Sequence, residues 1–171
     1  WATFTASTGV LAGTPLNANV GANSVVITAS DGNGGSVTDT FTITVVNAND
    51  APTITSTAVT AATEDTAYTY TVTAADVDSG DTITLTGTTV PSWATFTAST
   101  GVLAGTPLDA NVGDNSVVIT ASDGNGGSVT DTFTIAVANT NDAPSISSTA
   151  VTAVDEDAAY SYSITTSDDD S

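Results

Sequence analysis

Apolar and hydroxyl residues alternate along most of the chain. In residues 67–74 (AYTYTVTA), Tyr68, Tyr70 and Val72 fall on one face and threonines on the other. Residues 82–88 (TITLTGT) set Ile83 and Leu85 on one face in the same way. Residues 128–138 (SVTDTFTIAVA) do so with Phe133, Ile135 and Val137. A period of two over four to eight residues predicts half-buried strands, not helices. Between these runs stand turn signals. Ser99-Thr100-Gly101 separates WATF from GVLAG, and DGNGG at 123–127 follows NSVVITAS as a strong hairpin signal. With a first strand at 53–59 (TITSTAV), this makes about seven short strands with frequent turns, the pattern of a two-sheet sandwich. Trp93, Tyr68, Tyr70 and Phe133 read most simply as core.

The pattern repeats. WATFTASTGVLAGTPL begins at Trp1 and again at Trp93, an offset of 92 residues. NSVVITASDGNGGSVTDTFTI recurs at the same offset from Asn23 and Asn115, and NDAP from Asn49 and Asn141. Such self-similarity marks a tandem array whose unit is about one small domain. NDAP punctuates it, with Pro52 and Pro144 opening new units. The expected organisation is a complete unit at 51–142, the C-terminal part of a unit at 1–50, and the N-terminal part of another at 143–171. Neither part should bury a core alone. Either they belong to a longer array, or partial units complete one another between molecules.

Composition narrows the function. The 171 residues include 19 acids and no Lys, Arg or His, for a formal net charge of −19. Apolar residues make up 40 %, enough for a folded chain, and only 11 % are charged. Without a cation nothing can neutralise phosphates, so nucleic acid is excluded as a partner and anionic membrane surfaces are disfavoured. No apolar run approaches the ~18 residues of a spanning helix. The opening at Trp1 has no basic segment, so a targeting signal is expected elsewhere in a longer precursor. Without Cys there are no disulfides, thiol chemistry or thiolate zinc sites.

The acids are clustered. Asp50 stands in the linker, Glu64 and Asp65 before the second strand, Asp76, Asp78 and Asp81 after it, and Asp123 at the DGNGG turn. In an antiparallel sandwich the ends of the second and sixth strands can share one pole, and a first strand starting there adds Asp50. Two charges ~4 Å apart repel by ~4 kcal/mol at an effective dielectric of ~20. A handful of such pairs rivals the ~5–15 kcal/mol that stabilises a whole domain. Compensation must come from solution. Carboxylates, Asn amides and backbone carbonyls form an all-oxygen set in a flexible loop, which suits Ca²⁺ better than Mg²⁺. The competing reading is a hydrated acidic loop screened by salt.

Five motifs in order resemble the cadherin-like repeats, in particular the bacterial and dystroglycan-type repeats of giant surface proteins. NANDAP (47–52) is similar to the linker DxNDNAP, with Asn47 in place of the leading Asp and one Asn fewer. Glu64 resembles the Glu near the start of a cadherin domain. DVD (76–78) and ASD (121–123) resemble DxD and AxD, and 96–111 resembles FxIDxxTGxI…LDRE, with Asn111 replacing Glu. The resemblance implies all-β, seven-stranded Greek-key sandwiches of cadherin-like or Ig-like type, with Ca²⁺ shared between successive units. It implies Asn49, Asp50, Glu64, Asp76, Asp78 and Asp123 as ligands at the first linker. At the second it implies Asn141, Asp142, Glu156, Asp168 and Asp170, with Asp109 reaching in from the preceding unit. The counterpart of Asp109 in the first copy is the uncharged Asn17, so tighter binding is expected at the second linker. The missing acids at Asn47 and Asn111 lower the expectation to one or two ions per linker.

Catalysis is not expected. DSG at 78–80 has the aspartic-protease triplet but sits inside a calcium-like DxDxGD loop. No His or Lys base and no Cys nucleophile is available. A two-carboxylate glycosidase is formally allowed, but near-copies in tandem serve length and multivalency better than chemistry. The expected function is a structural segment of an extracellular fibre, stalk or adhesin, its partners the neighbouring repeats and its linkers stiffened by Ca²⁺. The alternative is an adhesive module that binds glycan or other copies of itself. No Asn-x-Ser/Thr sequon is present, while exposed Thr and Ser could carry O-linked sugars.

Overall fold

The computed structural model describes residues 1–170. Its strands, in chain order, are β1 (Ala2–Thr5), β2 (Val10–Gly13), β3 (Gly21–Ser30) and β4 (Ser36–Val45). The middle stretch holds β5 (Thr53–Ile54), β6 (Ala61–Thr63), β7 (Tyr68–Thr71), β8 (Ala74–Ala75) and β9 (Thr84–Thr89). It continues with β10 (Ala94–Thr97), β11 (Val102–Gly105), β12 (Gly113–Ser122) and β13 (Ser128–Ala138). Then come β14 (Ser145–Ile146) and β15 (Thr166–Ser167). The protein is all-β. No helix among the described residues is long and apolar enough to cross a membrane.

Residues 51–138 form a two-sheet sandwich. One sheet runs β10-β11-β7 and the other β6-β13-β12-β9. The chain crosses between the sheets from β6 to β7, from β7 to β9, from β9 to β10 and from β11 to β12, while the hairpins β10–β11 and β12–β13 each stay within one sheet. The alternating side chains meet between them: Tyr68, Tyr70, Val72, Leu103, Val117, Ile119, Ile135 and Val137 are buried. Tyr68 packs edge-on against Trp93 and Tyr70 against Phe133, with ring centroids 5.6 and 5.7 Å apart. Edge-to-face contact is the favoured geometry for aromatic pairs. The Trp93 Nε1–H donates to Asn115 Oδ1 (3.0 Å), so the indole keeps a polar partner.

One expected strand is divided. The run read as a single strand at 53–59 yields only β5, which pairs antiparallel with β8. The chain then crosses to the other sheet, where β6 runs parallel to β13. Hydrogen bonds made by side chains stabilise the crossing. Ser56 and Tyr70 share a hydroxyl bond (2.8 Å), and the Tyr68 hydroxyl donates to the Val59 carbonyl (2.7 Å). A short 3₁₀ turn at Asp109–Asn111, not foreseen, leads into β12.

The flanking stretches use the same local geometry. β1 pairs with β2 and β3 with β4, in the registers that β10–β11 and β12–β13 adopt 92 residues later. β14 pairs with β15 as β5 does with β8.

Candidate metal centre

Two acidic clusters sit beside the two NDAP segments. The first gathers Asp76, Asp81 and Asp123, each offering a carboxylate oxygen within 4.8 Å of the others. The β7–β8 run delivers Asp76 and Asp78, and the β12–β13 turn delivers Asp123 to the same end of the sandwich. Asp123 is held in place by its own turn, where Asn125 N–H (2.7 Å) and Gly127 N–H (2.9 Å) donate to Oδ1. The Asn49 amide donates to Asp123 Oδ2 (2.8 Å). That bond, with the turn amides, holds the Asp123 carboxyl below the ordinary range despite burial. The linker is tied in as well: Asp50 N–H donates to Asp78 Oδ2 (2.7 Å), and Asp78 N–H to Asp76 Oδ1 (2.9 Å). The Asn17 amide reaches Asp50 Oδ2 (2.7 Å).

The second cluster gathers Glu64, Asp142 and Asp170 under the same distance criterion. Its linker contacts repeat those of the first. Asp142 N–H donates to Asp170 Oδ2 (2.6 Å), and Asp170 N–H to Asp168 Oδ1 (3.0 Å). The Asn141 amide donates to the Asp142 carbonyl (2.7 Å), and the Asn139 amide to Asp170 Oδ1 (3.0 Å). Burial, then the charges of Asp65, Asp170, Asp169 and Asp109, push the Asp142 carboxyl up. Asp109 contributes to the electrostatics of Asp142 but joins neither acidic cluster, and its counterpart Asn17 donates to Asp50 beside the first linker.

The placement of Glu64 needs correction. The sequence reading assigned it to the first linker, yet it belongs to the second cluster. The parallel pairing of β6 with β13 sets Thr63 opposite Ala138. Glu64 N–H then donates to the Ala138 carbonyl (3.0 Å), and its Oε1 accepts from Thr140 N–H. β7 and β8 carry the chain across the sandwich at ~3.3 Å per residue, so residues before and after them sit at opposite poles. By the repeat offset, Glu156 is the counterpart of Glu64; it is exposed and joins neither cluster. Asp81 was overlooked as a ligand, although it lies in the same DVDSGD loop as Asp76 and Asp78.

The donor set fits a hard cation. Glu64, Asp78 and Asp123 are buried, with Glu64 only 1 % exposed. Among the described residues, four buried side-chain oxygens have no hydrogen-bond partner: Glu64 Oε2, Asp76 Oδ2, Asp78 Oδ1 and Asp81 Oδ2. All four are carboxylate oxygens of these clustered acids. An uncompensated buried carboxylate costs several kcal/mol. No basic side chain exists to compensate it, and oxygen-only ligation is the preference of Ca²⁺.

The sequence model of the He_PIG family, described as putative Ig domain, matches residues 1–46 and 51–138. No curated protein matches the chain. Among solved structures, protocadherin gamma B2 extracellular cadherin domains 1–5 align with 22 % identity and a TM-score of 0.58. That alignment covers 100 % of this chain and 37 % of the other. Protocadherin gamma B7 extracellular cadherin domains 1–4 align with 19 % identity and a TM-score of 0.53, covering 88 % and 42 %. An endo-fucoidan hydrolase of glycoside hydrolase family 107 shows 32 % identity and a TM-score of 0.47, covering 76 % of this chain and 20 % of the hydrolase. The chain thus spans about a fifth to two fifths of the length of these proteins. The protocadherin alignments agree with a cadherin-like, Ig-like sandwich.

Proposed function

We propose a calcium-braced structural role for this chain, which belongs to the He_PIG family of Ig-like domains. The units divide at the NDAP segments, at 1–50, 51–142 and 143–171, and each joint takes Ca²⁺. The first joint would use Asn49, Asp50, Asp76, Asp78, Asp81 and Asp123. The second would use Glu64, Asp109, Asn141, Asp142, Asp168 and Asp170. When bound, the ion supplies two positive charges and accepts six to eight oxygen donors.

The observation that carries this reading is the set of four unpartnered, buried carboxylate oxygens among the described residues of a chain without Lys, Arg or His. The residues' own part is to converge from two units, so that closing the site fixes the angle between them. The array becomes a stiff stalk or fibre segment. An extracellular setting supplies enough calcium for sites of modest affinity, and the structural neighbours are described as extracellular cadherin domains. We read the role as non-catalytic, since units without His, Lys or Cys lack triad and dyad chemistry and near-copies in tandem serve length better than chemistry.

Calcium titration by calorimetry, with small-angle scattering before and after chelation, tests the reading. Binding at both joints and a shorter, more variable particle in EDTA are expected. Absence of binding, with identical scattering in both conditions, overturns it.

A further inference from the structure

The turn at residues 123–127, which joins β12 to β13, carries a second chemistry. Asn125 stands there ahead of Gly126. An asparagine side chain cyclises onto the backbone nitrogen of the next residue when its amide is free, that nitrogen is unobstructed and the backbone can bend. All three conditions are met. Asn125 and Gly126 are both exposed. Gly126 has no Cβ, and no atom lies within 4 Å of where one would stand. Its N–H lies outside the β12–β13 ladder, which ends at the Ser122–Ser128 pair.

Neighbouring asparagines are held instead. The Asn115 amide donates to the carbonyls of Asn111 (2.8 Å) and Gly113 (3.0 Å), and its Oδ1 accepts from Trp93. Asn111 Oδ1 accepts from Leu108 N–H (2.9 Å). The Asn49 amide donates to Asp123 Oδ2 and the Asn141 amide to the Asp142 carbonyl. Each of these four precedes a residue that has a Cβ. The Asn125 side chain makes no hydrogen bond among the described residues. Asp123 also precedes a glycine, but its ionised carboxylate is a poor electrophile and accepts from Asn49, Asn125 and Gly127.

We propose that Asn125 and Gly126 form a self-modifying site, where the turn that holds Asp123 converts to isoaspartate and so loosens the first joint. The conversion stands on its own; its effect on the joint rests on the calcium reading above. The Gly126 nitrogen attacks Asn125 Cγ, forming the new C–N bond of a five-membered succinimide. Nδ2 leaves as ammonia, taking the proton of the Gly126 amide with it. Water then opens the ring. The backbone carbonyl is the more electrophilic of the two, because its Cα carries an electron-withdrawing amide nitrogen, so the C–N bond on that side breaks more often. The chain then runs through the former side chain, one carbon longer. Water is the only co-reactant and ammonia the only group lost. The added carbon moves the Gly127 N–H relative to the Asn125 N–H, and these two amides hold Asp123 Oδ1 (2.9 and 2.7 Å). Asp123 in turn offers one of the clustered carboxylates of the first joint. The dipeptide recurs as Asn33-Gly34, so each repeat of an array brings one such site.

Peptide mapping of the whole chain by mass spectrometry tests this. The protein is held in warm, mildly alkaline buffer and sampled over time, beside an Asn125→Gln variant, whose longer side chain must close a slower, six-membered ring. Chymotrypsin releases a peptide ending at Phe133, which Asp109 and Asp114 distinguish from its twin ending at Phe41. Asn125 should convert about tenfold faster or more than Asn111 and Asn115 of the same peptide, whose amides are held away from the next nitrogen. Isoaspartate should be the main product, and the variant should stay unconverted at that position. Conversion no faster than at Asn111 and Asn115, or conversion only in denaturant, overturns the proposal. Calorimetry then compares fresh and converted protein: calcium affinity should fall several-fold at the first joint and stay unchanged at the second. Equal affinities at the first joint sink the loosening. A fresh protein that binds no calcium sinks the braced joint, while the peptide map still decides the site.

Discussion

Replacing Glu64 by Gln should change stability in opposite directions with and without calcium. Glu64, Asp142 and Asp170 place carboxylate oxygens within 4.8 Å of one another. At an effective dielectric of ~20, each pair at that distance repels by about 3.5 kcal/mol. Glu64→Gln removes two of the three pairs, about 7 kcal/mol before water is considered. Asp142 and Asp170 both face solvent in part, so screening leaves about 1–2 kcal/mol across the two pairs. The amide keeps an oxygen to accept from Thr140 N–H and adds donors facing Asp142 and Asp170. In EDTA the variant should melt about 10 °C higher than wild type, since 1 kcal/mol shifts a domain of this size by ~4–8 °C. In saturating calcium the variant loses an anionic ligand. Its affinity at the second joint should fall tenfold or more, about 1.4 kcal/mol, and it should melt below wild type. Differential scanning calorimetry of both proteins in both buffers reads the crossing directly. Shifts of one sign in both buffers would refute the reasoning, because a merely packed Glu64 would destabilise regardless of the ion.

Asn17→Asp should raise calcium affinity at the first joint several-fold, since the amide that now donates to Asp50 Oδ2 would become a carboxylate; equal isotherms for both proteins would count against a ligand role at this position. Gly127→Ala should weaken the first joint, because a Cβ there would lie 2.1 Å from Asp123 Oδ2 and 2.8 Å from the Ala51 Cα; a calcium titration that leaves the second joint unchanged checks the locality. Leu103→Ala should cost about 2–5 kcal/mol in chemical denaturation, as Leu103 is fully buried between the sheets. Burial pushes the Tyr68 hydroxyl up to about 12 from 10.0, with a lesser contribution from Tyr70. The unfolded chain therefore ionises first, and stability present below pH 10 should decline between pH 10 and about 12. Tyrosinate absorbance followed alongside unfolding checks that order.

The sandwich was legible because its signals are local. Alternation at Tyr68, Tyr70 and Val72 marks a buried face wherever the strand pairs, and the DGNGG turn fixes its hairpin. The divided first strand was not legible, because neither part alternates long enough to show which sheet it joins. That choice is made by tertiary bonds, the hydroxyls of Ser56 and Tyr68 among them. The acids of the first joint were legible as a cluster, since Asp76, Asp78 and Asp81 are near neighbours in the chain. Glu64 is equally near in sequence and was misplaced, because proximity along a strand that crosses the molecule means separation in space. Following the direction of β7 would have assigned it to the far end. Asp81 was passed over because the resembling motif stops at DVD, while the loop carries one more carboxylate into the same group.

The near-identity of hairpins β3–β4 and β12–β13 bears on how the chain reaches its native pairing. Strand β7 meets β11 through Tyr70 and Leu103, 33 residues apart, while Leu11, the twin of Leu103, lies 59 residues away on the other side. Loop-closure entropy separates these alternatives by only about 0.5 kcal/mol. Chemically matched neighbours thus compete for the same strand, the situation in which tandem domains swap. Partition is then governed by timing, since β1–β2 leaves the ribosome before β7 and β10–β11 only after it. Slowing synthesis should lower the yield of correctly paired units, and refolding of the whole chain should give a partition independent of dilution.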